Sequence, residues 1–502
     1  MSSIKLNICF GFFLGLGIVV AILALVSKFI VFPKIINNEI AEEIQLINGS
    51  EAYDRWVKIP FPIIYKAYFF NVTNPEAVSQ GEKPILQEVG PYIYQQHRAK
   101  LNITDRLETL GYNEHQLFEF DAKASYPLTD SDPIRIVNLP LMGLIDTTER
   151  ETPALVRFLD LIIPQLFDNP KNLFLTTTPK DFLFDGIFLN CQSNNVLLRI
   201  FCKSIEKLAP RTMVRQEDGN IKFSFLSYKN NTDEGRFVVN SGRIEPERVG
   251  QLSSWNGYNL TNIWLTNSSC NRIFGTDATI YPPFDSTDSI LDTFSIDLCR
   301  TVSLEYSEPI VYSGIDGLRF VAKKSTFLSP GQEPLNQCYC LHKTKGILGQ
   351  DGCLLDGALE LFSCHGAPIV FTHPHFYLTH QTYQNGVIGL KPNSIKHQNF
   401  VDLQPNTGAP LRGSKRGQFN IFLRSVDGVS LTSGLRTTLM PILWFDEGVV
   451  LSDKYVDILK VDFLDKMRFI EIGGWAIFAC GTATCILSFV VFISCRCAKK
   501  NS

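Results

Sequence analysis

From Ile8 to Val26 no charged residue interrupts the chain, and beyond Lys28 the apolar character continues to Phe32. A stretch this long crosses a bilayer as an α-helix. A second apolar run extends from Ile472 to Ser494, and both are rich in the Gly, Ala and Ser that spanning helices accommodate. A cleaved signal peptide has a shorter apolar core followed by a small-x-small site. The first run is therefore read as a retained membrane helix over residues 8–32, and the second as its counterpart over 472–494. Between them, in 33–471, the periodicity changes. Ile36, Ile40, Ile44 and Ile47 recur at helical spacing and predict a helix from Pro33 to Val57. "IIYKAYFFNV" at Ile63, "KFSFLSY" at Lys222, "RFVVN" at Arg236, "LRFVA" at Leu318 and "QFNIFLR" at Gln418 read as short strands between Gly, Pro and Asn clusters. From Tyr455, "YVDILKVDFLDKMRFIEI" is helical again and leads into the second run. The pattern is that of a mostly β body held by two helices.

One helical insert interrupts the strands, within the region 149–210. In "TPALVRFLDLIIPQLFDNP", Thr152 is placed to cap, Pro153 takes the favoured first turn, and Pro164 is expected to kink the helix. Ala154, Leu155, Phe158, Leu159, Ile162 and Leu166 form an apolar stripe that Leu161, Ile163 and Phe167 widen beyond half the circumference. An ordinary buried helix accounts for such a stripe. The sharper expectation is a lipid mouth formed by Phe158, Ile162, Leu166 and Phe167.

Composition and charge narrow the class. The chain is 45% hydrophobic and 19% charged with 37 Phe, enough for a large apolar interior, and a net charge of −3 leaves no footprint for nucleic acid. Arg496, Lys499 and Lys500 follow the second run directly and predict that residues 495–502 lie in the cytoplasm. Asn48, Asn71, Asn102, Asn230, Asn259 and Asn267 each head an N-x-[ST] triplet, all between the two runs. Their confinement there predicts an extracellular or lumenal segment 33–471, with residues 1–7 and the C-terminal tail cytoplasmic.

Cys191, Cys202, Cys270, Cys299, Cys338, Cys340, Cys353 and Cys364 also lie in that segment, an even number suited to disulfides in an oxidising space. Their spacing lacks the paired C-x2-C of a structural zinc site, and sequence alone leaves their connectivity open. Cys9, Cys495 and Cys497 sit near the expected cytoplasmic edge, where S-acylation is an expectation beside the unmodified thiol. His365, His373, His375 and His380 crowd together, but no acidic run completes a metal site and they read as ordinary hydrogen-bonded or exposed histidines. The chain has no G-x-S-x-G, P-loop or H-E-x-x-H, so the sequence nominates no catalytic residue and no cofactor.

"EVGPYIY" at Glu88, "CNRIFGTDATIYPPF" at Cys270, "DLCR" at Asp297, "CYC" at Cys338, "GAPIVFTHPHF" at Gly366 and "DLQPNTGAPL" at Asp402 together resemble the signatures of the class B scavenger receptor family, in order along the chain. The resemblance implies a two-span glycoprotein of α+β class, an antiparallel β-barrel ectodomain capped by a membrane-distal helical bundle, with an apolar tunnel toward the membrane. It also implies the pairs Cys270–Cys338, Cys299–Cys364 and Cys340–Cys353. A Cys191–Cys202 bridge is inferred from the leftover parity. The Cys495-Arg-Cys497 ending is similar to acylated tails of that family, and the tail lacks an acidic dileucine, which favours the plasma membrane over the lysosomal membrane.

The function expected from these features is lipid reception. Each methylene exposed to water costs about 0.8 kcal/mol, so a chain of roughly sixteen carbons faces a barrier on the order of 12 kcal/mol on leaving a carrier or bilayer. An apolar conduit removes most of it. Expected partners are lipid ligands such as a fatty acid, sterol ester, carotenoid or lipid signal, or their protein carriers, and self-association is compatible with the sequence. The alternatives are a docking or adhesion receptor without transport and, further off, a lipid ectoenzyme.

Overall fold

A computed structural model of the chain describes residues 3–192, 195–208, 211–266, 268–284, 287–349 and 351–500. The chain forms two compact units, the larger made of Leu46–Tyr312 and Asp316–Val450 and the smaller containing both terminal helices. Two helical stretches, Leu14–Ile44 and Asp453–Ser494, are long and apolar enough to cross a membrane. In the smaller unit they lie against each other where side chains are smallest. A Cβ placed on Gly17 would fall 2.6 Å from Cys485 Sγ, and one on Gly481 would fall 2.8 Å from the Ala21 nitrogen, so the backbones touch as in close-packed spanning helices. Lys28 Nζ sits 3.2 Å from the centre of the Trp475 ring, a cation–π contact between the two helices.

The helix expected over Pro33–Val57 breaks. It ends at Ile44, the chain extends at Gln45, Gly49 adopts φ +88°, and a new helix Glu51–Val57 starts with Ser50 Oγ accepting from Tyr53 N–H at 3.2 Å. The "INGS" stretch explains it, because Gly and a capping Ser favour a turn and a fresh start over continuation.

In the larger unit, one antiparallel sheet runs through Leu252–Trp255, Thr232–Asn240, Thr109–Phe120, Leu86–Arg106, Ile63–Val72, Thr438–Val450, Pro410–Leu423, Phe400–Leu403, Ile315–Ala322, Arg300–Tyr312 and Leu291–Ser295. Its two edge strands, Leu252–Trp255 and Leu291–Ser295, are joined by a single segment. The Leu252 N–H donates to Gly275 O at 2.8 Å; on the other side Thr276 N–H donates to Asp292 O and Thr276 O accepts from Phe294 N–H, both at 2.9 Å. Trp255 and Phe294, one from each edge, bring their rings to 5.9 Å across the seam. The sheet thus becomes a nearly closed barrel, and the seam is the "FGTD" of the motif that opens at Cys270.

Leu86–Arg106 and Thr109–Phe120 are longer and more polar than any strand the sequence pattern picked out. Their inward positions explain why: Gln96, Lys100, Glu114 and Gln116 are buried, so alternation exists but is not apolar against polar. Conversely, "KFSFLSY" is strand only in Ile221–Phe223 and then turns into the short 3-10 helix Ser227–Lys229. The helical insert differs as well. Pro153–Phe158 is 3-10, Thr152 makes no side-chain cap, and Leu159–Leu166 continues through Pro164. The preceding helix Leu139–Glu151, capped by Asn138 Oδ1 accepting from Leu141 N–H, carries the buried apolar face.

Gly275 is the seam's most constrained residue. Its φ is +88° and an added Cβ would lie 2.3 Å from Asp292 O. Gly275→Ala is expected to lower stability by at least about 2 kcal/mol, from left-handed strain plus displacement of the edge strand. A urea midpoint of the purified protein equal to that of the wild type would show that the seam bears no such load.

Candidate functional site

Period-2 alternation sends residues 96, 98 and 100 of one strand and 114 and 116 of its neighbour to the same inward face. With Lys229, Glu234, Asp277, Asp297, Lys415 and Glu447 they form a belt of charge. Arg98 pairs with Glu447 and lies 3.9 Å from Glu114, and Lys100 reaches Glu114 at 3.8 Å and Asp277 at 3.5 Å. Lys229 bridges Asp297 and Glu234, the latter at 2.8 Å, while half-exposed Lys415 bridges Asp297 at 2.6 Å and Glu447 at 3.6 Å. Gln116 ties the polar side chains together, donating to Glu234 at 2.8 Å and accepting from Gln96 at 2.8 Å.

The belt's electrostatics follow from pairing against burial. Burial by itself raises the Asp297 carboxyl, but Lys229 and Lys415 outweigh it and hold the group well below the usual carboxylate range. Glu447 is likewise lowered, burial being overcome by Arg98 and Lys415. Glu234 goes the other way: burial, with Asp297 and Glu114 adding repulsion, pushes it up despite Lys229.

A cavity sits directly on this belt. Arg98, Lys229, Asp297 and Glu447 line its polar side, and Tyr65, Phe118, Phe225, Ile369, Phe419 and Phe445 its apolar side. The rings interlock, Phe225 edge-on to Phe419 at 4.9 Å and Phe419 stacked near Phe445 at 5.7 Å. The cavity leaves about 50 Å³ for the centre of a water-sized sphere, room for about four waters. It is amphipathic where the sequence led to an oily bore, and it is too small as it stands for a sixteen-carbon chain. The cause is visible: charged residues of strands that the sequence pattern did not pick out occupy inward positions.

The residues expected to form a lipid mouth separate. Ile162 and Leu166 are fully buried in the main core, and Phe158 and Phe167 pack against it half-buried. Leu161 is the helix's exposed apolar residue, and on the helix Val196–Leu208 exposed Val196 and Ile200 adjoin exposed Arg199, Lys203 and Lys207. The i, i+4 spacing of these three basic residues was visible in the sequence but went unread because the helix itself was not identified.

Disulfides join Cys191 to Cys202, Cys270 to Cys338, Cys299 to Cys364, and Cys340 to Cys353. Asn48, Asn102 and Asn259 are exposed, Asn71 and Asn230 are half-buried, and Asn267 lies outside the described residues. Cys497 is exposed, while Cys9 and Cys495 fall on helix positions whose side chains lie outside those described.

The histidines serve the barrel wall. His375, with φ +52°, accepts from Lys391 N–H at Nδ1 and meets Glu88 Oε2 at 2.5 Å with Nε2, while its ring stacks on His397 at 4.4 Å. Trp444 donates to the same Glu88 oxygen at 2.7 Å. Both ring nitrogens of His375 are thus engaged by protein groups, Nδ1 by the Lys391 N–H and Nε2 by Glu88. Burial lowers His373 to about 4, and burial with His375 nearby lowers His397 to about 4, so both are neutral at physiological pH. His365 Nε2 lies 2.8 Å from the Asp297 carbonyl beside the belt.

In sequence, two helices long and apolar enough to cross a membrane flank the segment that forms the nearly closed antiparallel barrel. The model of the CD36 family matches residues 15–492, and the chain belongs to this family of membrane receptors. It is 34% identical to sensory neuron membrane protein 2 of Anopheles gambiae over 97% of this chain and 94% of that one. Identity to the protein of the same name from Aedes aegypti is 35%, over 91% and 94%. To sensory neuron membrane protein 1 of Pediculus humanus subsp. corporis it is 34%, over 89% and 85%.

The lowered carboxyls of Asp297 and Glu447 contribute an acid-sensitive part of the stability. In the folded state they hold fewer protons than in the unfolded chain near pH 4, so their stabilisation is present above that range and lost as pH falls through and below it. Asp297→Asn strips Lys229 and Lys415 of a shared counter-charge and is expected to cost about 3 kcal/mol at neutral pH and flatten the acid limb. Melting of wild type and variant at pH 7 and near pH 4 tests this; parallel curves with equal midpoints would leave the belt without an energetic role.

Proposed function

We propose that this chain is a cell-surface receptor for lipids or lipid carriers that passes lipid through its barrel to the membrane. The observation that carries the reading is the amphipathic cavity, with an aromatic wall beside a charged one, seated inside the barrel. A molecule with an oily body and a polar end matches both sides, and each methylene sheltered there saves about 0.8 kcal/mol of exposure to water. Passage requires the aromatic side chains to move apart, since the resting space holds only water-sized occupants. On this reading both termini are cytoplasmic, Cys9, Cys495 and Cys497 are candidates for acylation, and the segment 33–471 faces outward with sugar on Asn48, Asn102 and Asn259, the exposed sequons. The polar end supports an anionic or hydrogen-bonding lipid head over a wholly apolar sterol ester.

A second reading, docking without transfer, draws support from one observation. Arg199, Lys203 and Lys207 form an exposed basic row beside exposed Val196 and Ile200, a surface suited to an anionic carrier or particle.

Ala367 lines the cavity and offers a way to fill it. Lipid transfer from donor vesicles into cells bearing the full chain is expected to fall about tenfold in Ala367→Trp, one step of 1.4 kcal/mol in barrier, with particle binding retained. Transfer at the wild-type rate, with surface expression matched, would favour docking.

A further inference from the structure

Arg300 is buried and lacks a counter-charge. It is 6% exposed, and no carboxylate among the described residues pairs with it. Its guanidinium stacks on Tyr339 at 3.6 Å from the ring centre, and Nη1 donates to the Thr326 carbonyl at 2.9 Å. Nε is buried with no hydrogen-bond partner among the described residues, so part of the guanidinium's donor fork is unused. Burial pulls the group down to about 10, which still leaves it charged at neutral pH.

Arg300 lines a cavity with about 30 Å³ for the centre of a water-sized sphere, room for about two waters. Among the described residues the only carboxylate in its lining is Glu360, and that group is already engaged by Arg150 at one oxygen and Thr344 at the other. Burial raises the Glu360 carboxyl, with Arg150 and Thr344 acting against it. The walls are stiff. Cys340 lines the cavity and is bridged to Cys353, Tyr339 is flanked by the bridged Cys338 and Cys340, and Arg300 follows the bridged Cys299. A rigid pocket holding an uncompensated cation cannot relieve it by collapse, and a small anion relieves it directly.

We propose that this cavity binds a small monovalent anion, a halide or a compact carboxylate, held by the Arg300 guanidinium. The site is separate from the cavity at the charge belt and shares no lining residue with it. Its occupancy is independent of lipid passage.

The test is thermal melting of the purified full chain at constant ionic strength, exchanging isethionate, a bulky sulfonate, for chloride and separately for formate. A melting temperature that rises along a saturating curve with either anion is expected, and which of the two saturates first distinguishes halide from carboxylate. Arg300→Met is expected to abolish the saturating response. Should that variant fail to fold, Arg300→Lys, which keeps the charge but lacks the fork, is expected to weaken half-saturation about tenfold. Identical wild-type melting in all three anions, a saturating curve in Arg300→Met, or unchanged half-saturation in Arg300→Lys would overturn the proposal.

Discussion

Closure of the sheet on itself is the constraint from which the larger unit follows. A sheet of this length left open would present unpaired N–H and C=O groups along both edge strands, a template for association with other chains. Gly275 and Thr276 remove that hazard with a few hydrogen bonds, because they accept from one edge strand and exchange bonds with the other. Closure also defines an inside. Once there is an inside, every inward side chain must be satisfied without bulk water, and this requirement selects the belt of paired charges around Asp297.

Belts of this kind contribute little net stability relative to well-packed apolar residues, because desolvation offsets attraction, but losing one member leaves a charge stranded. Their structural consequence is geometric. Charged heads pulled toward each other by Lys229, Lys415 and Arg98 stay off the rings of Phe225, Phe419 and Phe445, and the gap between the two is the amphipathic cavity. An all-apolar lining of the same size has no such reason to stay apart and packs to interior density.

The two long apolar helices and the strand Ile63–Val72 were legible in the sequence because uniform apolarity over a bilayer's length and a β-branched and aromatic run bounded by turn residues are strong signals. The motif around Gly275 was also visible, but its physical role was not, since nothing local shows that one residue will join strands separated by the rest of the barrel. Leu86–Arg106 escaped notice for a related reason. Its inward Gln96, Arg98 and Lys100 find partners in Gln116, Glu447 and Asp277 that are close only in space, so polar residues at core positions looked like solvent-facing ones. Ile162 and Leu166 misled in the opposite direction: a helix apolar over more than half its surface suggested an open mouth, and the barrel-facing core simply used the extra face. The site was illegible to the extent that its chemistry depends on pairs distant in sequence.

Charge compensation is otherwise the rule in this chain. Asp402 holds both Arg319 and Arg412, Arg424 is held by Asp146 and Glu149, and Glu360 answers Arg150. Against that background the isolation of Arg300 is not explained by a shortage of carboxylates, since Glu360 lines the same cavity and is directed elsewhere. Stacking on Tyr339 offsets part of the burial cost, for a cation over an aromatic face recovers a kilocalorie or so, roughly. It does nothing for Nε, which has no acceptor among the described residues. The remaining deficit is that of one negative charge, which a small anion in the adjoining cavity would supply and the described polypeptide does not.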